Sequence, residues 1–164
     1  MNLRRLWRHY LTPPWWVRRT LSPAALARIE AAIRESEKTH NGELRFAVES
    51  ALGTAALLRA QPARERALEV FAALGVWDTE QNNGVLLYLL LADRDIEIVA
   101  DRGVHAKVGA PEWERICRLM ENHFRTGQFE AGVLAGIREI SEHLARHYPG
   151  DGRANELPDA PIVL

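Results

Sequence analysis

A single cysteine, Cys117, stands in the 164 residues, which excludes an intramolecular disulfide and any multi-cysteine metal cluster. It lies inside a helical pattern with no activating neighbour, so it reads as a small core hydrophobe rather than a nucleophile. Long apolar runs are missing too. The longest, Val85 to Ala92, has eight residues, whereas a membrane-spanning helix needs about 20. The opening MNLRRLWRHYLTPPWWVRR is interrupted by Arg, His and Pro and lacks the apolar core of a secretory signal, so a cytoplasmic protein is expected. A Gly-rich phosphate loop, a G-x-S-x-G elbow, H-E-x-x-H and C-x-x-C are all absent, which removes the commonest sequence-readable enzyme classes.

Acidic residues are absent from the first stretch of chain. Arg4, Arg5, Arg8, Arg18, Arg19 and Arg28 all precede Glu30, although the net charge is only −1. With Trp7, Tyr10, Trp15 and Trp16 interleaved, residues 1–20 form a basic aromatic arm. Such an arm is a candidate for peripheral contact with an anionic membrane. The plainer expectation docks its aromatics on the body and leaves its arginines solvated, because Pro13-Pro14 breaks any continuous amphipathic helix. No nucleic-acid partner is expected.

What remains is ordinary globular material: 47% hydrophobic and 26% charged residues in 18.5 kDa, enough for one domain with its own core. Ser22-Pro23 starts a helix carrying Leu26, Ile29 and Ile33, and Asn41-Gly42 is expected to stop it. GELRFAVE then alternates, with Leu44, Phe46 and Val48 facing one way and Glu43, Arg45 and Glu49 the other, as in a strand with one wetter face near a sheet edge. After a small-residue loop, Pro62 opens a second helix with Ala67, Val70, Phe71 and Leu74 in one stripe, closed by Gly75.

VLLYLLLA lacks alternation, which suits a central strand covered on both faces. The turn at Asp93-Arg94-Asp95 and the alternating IEIVAD complete a hairpin from Val85 to Asp101. Gly103 and Gly109 mark a loop. Two helices follow, one started by Pro111 and ended by Gly127, the other running from Phe129 to before Pro149, with Gly132 and Gly136 allowing close packing. Strand-helix-strand crossovers are right-handed and parallel, so the first two strands run parallel and the third antiparallel to the second. The fold class is therefore α/β: a three-layer α/β/α sandwich whose small mixed β-sheet is flanked by helices on both faces. Residues 21–149 form the domain, and residues 150–164 a tail packing on it or on a partner. Nothing in the pattern calls for obligate dimerisation, and a monomer is expected.

This topology sorts the polar residues between two ends of the sheet. One end collects Gly42, Glu43, Asp78, Asn82, Asn83, Asp101, Arg102, Gly103 and His105; the other has Glu49, Asp93 and Asp95. Hard cations take oxygen from carboxylates, amides and carbonyls, and the first end supplies several such groups without matching a calcium loop of fixed spacing. Asp93 and Asp95 are explained as a solvated hairpin turn. His143 and His147 have the four-residue spacing of a metal clip but no evident third ligand, and imidazoles at a helix C-terminus suit the dipole.

Gly42-Glu43 at the start of the first strand, Asn82-Asn83-Gly84 before the long apolar strand and Ala100-Asp101-Arg102-Gly103 after the third resemble the TPM domain family from about Leu21 onward. NELPD, residues 155–159, is similar to the tail of its short soluble branch. The resemblance implies an α/β/α sandwich, a divalent-cation site, often calcium, at loops of one sheet end, and a phosphatase label attached to parts of the family. Carried over by position, the cation ligands are Glu43, Asp78, Asn82, Asn83 and Asp101. The chain departs from the anchored pattern after the third strand, where Asp101-Arg102-Gly103 and His105 replace Gly-aromatic-Gly and Glu.

Two functions follow from these residues. One is an interaction module, with Ca²⁺ or Mg²⁺ bound, that docks a membrane-associated protein. The other is a metal-dependent phosphatase acting on phosphomonoesters, with Arg102 balancing charge and His105 handling a proton.

Overall fold

The computed structural model describes residues 3–151 and 155–164. Two short helices, α1 (Leu3–Tyr10) and α2 (Trp16–Thr20), precede α3 (Pro23–Ser36). The Ser22 hydroxyl caps α3 by accepting the Ala25 N–H at 3.1 Å. The helix ends before the expected stop at Asn41-Gly42, because a 3-10 turn, Glu37–Thr39, tightens the chain first.

Strand β1 (Glu43–Glu49) follows, then α4 (Thr54–Leu58), α5 (Ala63–Ala73), β2 (Gly84–Leu90) and β3 (Asp95–Ala100). The last elements are α6 (Arg102–Val108), α7 (Ala110–Arg125), α8 (Phe129–His147) and a two-residue β4 (Ile162–Val163). Two expected loops carry short helices, α4 and α6. In α6 the cause is the Asp101 side chain, which caps the first turn.

The sheet order is β3-β2-β1-β4, with β1 and β2 parallel and β2 and β3 antiparallel. Leu44, Phe46, Val48, Val85, Leu87 and Leu89 face α3, α7 and α8 in the larger core, whose members include Ile29, Ile33, Ile116, Met120, Ile137 and Leu144. Leu86, Tyr88 and Leu90 face α4 and α5, packing with Ala63, Ala67 and Val70. That is the expected three-layer sandwich.

The expected wet face of β1 is not wet. Every residue of the strand is buried: β4 pairs along its outer edge at Ala47 and Val48, while the tail at Glu43 and α5 at Glu49 cover the polar face. The two carboxylates of the strand, Glu43 and Glu49, find partners instead. Glu49 accepts from the Tyr88 hydroxyl at 2.6 Å and from Arg66 Nε at 2.9 Å. Burial, with the charge of nearby Glu97, pushes the half-buried Cys117 thiol up to about 12. Among the described residues, no helix is long and apolar enough to cross a membrane.

Candidate functional site

Parallel pairing of β1 with β2 puts Glu43 beside Gly84, and antiparallel pairing of β2 with β3 puts Asp101 beyond Ala100 on the other flank of Gly84. The Asp101 N–H donates to the Gly84 carbonyl at 2.8 Å. Asn83, one residue before Gly84, is thereby brought between β1 and the start of α6.

Asn83 is fully buried. Its main-chain N–H donates to Thr79 Oγ1 at 3.0 Å, and its side-chain amide donates to the Asn41 carbonyl at 2.6 Å. That leaves Oδ1, which is buried and has no hydrogen-bond partner. Asp101 repeats the arrangement. Oδ1 accepts the Arg102 N–H at 2.6 Å, capping α6, while Oδ2 is buried without a partner. Asn82, at φ +51°, brings its main-chain carbonyl over Gly103, where a Cβ would lie 2.5 Å from that oxygen. Only glycine fits this first turn of α6 without moving the Asn82 backbone.

The other candidate ligands stand apart from this pair. Glu43 is committed to the tail: its carboxylate accepts the N–H groups of Glu156 at 3.1 Å and Leu157 at 3.0 Å. Burial raises its pKa, the two tail amides act against that, and the charges of Glu156 and Asp159 raise it further. Asp78 is exposed on the connection after α5. Among the described residues, no three His, Cys, Asp or Glu side chains come together as a metal group, so Glu43, Asp78 and Asp101 form no carboxylate cluster.

Arg102 lines an open hollow of about 770 Å³ at this end, together with Asn82, Gly103, Lys107 and His147. Lys107 donates to the His147 carbonyl at 3.2 Å and lies 3.8 Å from the Tyr148 ring centroid. His147 has its pKa lowered by partial burial and by its neighbours His143, Lys107 and Arg146. His143 pairs with Glu112 at 2.9 Å rather than joining His147 in a clip. His105 lines a different groove, along β3 with Glu97, Trp113 and Cys117.

Beneath the tail lies a buried polar group that sequence spacing does not reveal. Glu37 accepts the Leu44 N–H at 3.0 Å, in the place of the strand partner that β4 is too short to supply. Burial, together with the charges of Glu43 and Asp159, pushes Glu37 up to about 8. Beside it, Arg45 keeps Nε and Nη1 buried without hydrogen bonds, and its pKa is lowered by burial while Asp159 and Glu37 act to raise it. His40 bonds the Gly42 carbonyl at 3.0 Å through Nδ1 and leaves Nε2 buried and unpartnered. The alternation of GELRFAVE shows that Glu43 and Arg45 share a face; it does not show what covers them.

The fold has counterparts of known structure. The BA42 protein of the psychrophilic bacterium Bizionia argentinensis, solved by NMR, superposes with a TM-score of 0.76 at 28% identity, over 87% of this chain and 94% of that one. The N-terminal domain of a protein from P. gingivalis shares the fold at 20% identity, with a TM-score of 0.64 over 85% of this chain and 94% of the other. Among curated proteins none matches. The family model described as the TPM domain matches residues 18–143, a span that holds Glu43, Asn82, Asn83 and Asp101, and the chain belongs to the TPM domain family.

Proposed function

We propose that this TPM domain binds a divalent cation, Ca²⁺ or in its place Mg²⁺, at the sheet end formed by Asn82, Asn83 and Asp101, and works as an interaction module for a membrane-associated protein. One observation carries the reading: Asn83 Oδ1 and Asp101 Oδ2 are both buried without a partner, on residues that flank Gly84. A buried polar oxygen left unsatisfied costs about 1–3 kcal/mol, and a cation held between these two residues would satisfy both. Both are acceptors only, so their partner is a cation or a donor.

The donor set fits a hard ion. It offers one carboxylate, amide oxygen and main-chain carbonyl, with no thiolate or imidazole among them. A single carboxylate implies weak binding, with a Kd on the order of 10⁻⁴ M or above. Calorimetry of the full chain with CaCl₂ and with MgCl₂ tests this. Asp101→Asn keeps the helix cap and removes the charge, and it should weaken binding about tenfold or more. No binding heat with either ion in the unsubstituted chain would remove the site.

A phosphatase reading has its own support, in Arg102, Lys107 and His147 around the neighbouring hollow. A planar guanidinium beside an ammonium suits a phosphate group. A cation bound there would supply Lewis-acid polarisation of phosphate oxygen. The proton-handling role considered for His105 has no support, since His105 lines the groove along β3. Phosphomonoester turnover that survives in both Asp101→Asn and Arg102→Ala would end this reading and leave the interaction module.

A further inference from the structure

The arm is turned inside out. On α1, Leu3, Trp7 and Tyr10 recur at helical spacing and all are exposed, Trp7 by 61% and Tyr10 by 80%. Leu11, Trp15 and Trp16 extend the same apolar surface, so among the described residues six of the eleven exposed large hydrophobic side chains lie in this one segment. An amphipathic helix on a globular body normally buries its apolar stripe. Here the polar stripe faces the body, with His9 buried, Arg5 half-buried and Arg8 reaching in from the surface. Arg5 donates to Asp93 at 3.0 Å, Arg8 also binds Asp93, and His9 meets Asp93 through Nε2 at 3.0 Å. The Leu52 N–H donates to His9 Nδ1 at 3.0 Å, which fixes the tautomer that points the ring proton at Asp93.

Asp93 therefore bolts α1 down by its cationic side and leaves the aromatics facing out. The exposed apolar surface is bordered by Arg4, Arg18 and Arg19, all exposed, and no acidic residue precedes Glu30. Arg19 lies over the Trp16 ring, 5.9 Å from its centroid. A groove of about 630 Å³ between α1 and the hairpin turn combines Leu3, Trp7, Leu11 and Trp16 with Arg4 and Arg94.

We propose that the arm is a membrane-surface contact that seats Trp7, Trp15 and Trp16 among the headgroups of an anionic lipid bilayer while Arg4, Arg18 and Arg19 engage lipid phosphates. The chemistry of the face selects that occupant. Indole rings favour the boundary between apolar and wet phases, and arginines beside them meet a negative surface. A second copy of this chain would bring the same cations face to face, with no carboxylate in either arm to answer them. The contact is also pre-formed, because the arm is already fixed to the hairpin turn and loses little freedom on docking. It lies at the Asp93 end of the sheet, a strand length of roughly 20 Å from Asn83, so its test is independent of cation binding.

The experiment is sedimentation of the full chain with vesicles of phosphatidylglycerol and phosphatidylcholine in equal parts, and with phosphatidylcholine alone, read beside tryptophan emission. Binding to the anionic vesicles with a blue shift, weakened by salt, is the expected result. Combined Arg4→Glu, Arg18→Glu and Arg19→Glu substitution should lower the partition coefficient at least ~100-fold, taking roughly fivefold for each arginine. Trp7→Ala with Trp16→Ala should shrink the blue shift, leaving Trp15 as the one indole of the arm to report the contact; both sets are exposed and should leave the melting temperature unchanged. Equal pelleting with and without vesicles, binding that ignores lipid charge, or binding unaltered in both variants overturns the proposal. So does concentration-dependent dimerisation of the unsubstituted chain that Trp7→Ala with Trp16→Ala removes, since a second copy then covers the face.

Discussion

The carboxylate of Glu43 holds the main-chain N–H of Leu157 at 3.0 Å, across a sequence separation of 114 residues. Its second oxygen takes the Glu156 N–H, and the segment then leads to Ile162–Val163 beside β1, where the Leu164 N–H donates to the Val48 carbonyl at 2.9 Å. Glu43 is thus a clamp on the tail. Replacing it with Ala should cost about 2 kcal/mol, the usual size for hydrogen bonds to a charged group. Faster hydrogen exchange at Leu164 should appear first. Exchange there that matches the unsubstituted chain would show that the tail is held by other means.

Glu37 makes stability depend on pH with an unusual sign. Its proton is held more tightly in the folded protein, where burial pushes the group up to about 8, than in the unfolded chain at an ordinary 4.5. Between those values the folded state binds more protons, so stability falls as pH rises from about 4.5 towards 8. At about 1.36 kcal/mol per pH unit, the change is on the order of 5 kcal/mol. Glu37→Gln keeps an acceptor for the Leu44 N–H and has no proton to lose, so its urea midpoint should fall less over the same window, the remainder coming from groups such as Glu43 whose pKa is also raised. Parallel pH profiles for the two proteins would be inconsistent with this assignment.

Asp93 is the anchor of the arm. Burial alone would raise its pKa, but hydrogen bonds from His9 and Arg5 outweigh that and hold the carboxyl well below the usual range. Its contribution is present above the ordinary carboxylate pKa and is lost as pH falls below it. Asp93→Ala strands Arg5 and the buried His9, and should cost about 2–3 kcal/mol, less than a fully buried pair because Arg8 is half exposed. Limited proteolysis should then cut after Arg18 or Arg19 before the body is attacked. An arm that stays as resistant as before would mean that Asp93 does not hold it.

Local pattern was a good guide wherever local chemistry decided the structure. The Ser22 cap, the Pro62 and Pro111 starts, and the glycines at positive φ after α5 and α7 are short-range devices, and each stands where its residues place it. The apolar run at Val85 and the alternation of β1 and β3 fixed the sheet and its strand directions. Pairings across long separations were not legible. Asp93 reads as a turn residue because its partners lie 84 and 88 positions away on the arm. β4 is two residues long, too short to show a period, and without it β1 looks like an edge. At the candidate site, the grouping of Asn82, Asn83 and Asp101 followed from topology, whereas the engagement of Glu43 by the tail and the placement of His105 depend on side-chain packing.

The glycine of Asn82-Asn83-Gly84 sets the position of the two unpartnered oxygens. A Cβ at Gly84 would overlap the carbonyl oxygen of Val76, a fully buried residue whose main chain has nowhere to retreat. Gly84→Ala must therefore displace either Val76 or the start of β2, at a cost of about 3 kcal/mol, the upper range for overpacking. Displacement of β2 also moves Asn83 away from Asp101, so whatever cation affinity the unsubstituted chain has should fall further than the stability loss alone accounts for. Gly53→Ala is the control. Gly53 has φ −64° and nothing within 4 Å of an added Cβ, so this change meets no overlap and should shift stability by no more than roughly 0.5 kcal/mol, the gain through the unfolded chain being offset by the poorer N-cap that Ala gives α4. Thermal melts of the two variants, run with calcium titrations at a temperature where both are folded, separate the cases. Equal melting temperatures for Gly84→Ala and the unsubstituted chain would mean that the approach of Val76 to β2 is looser than the backbone geometry requires.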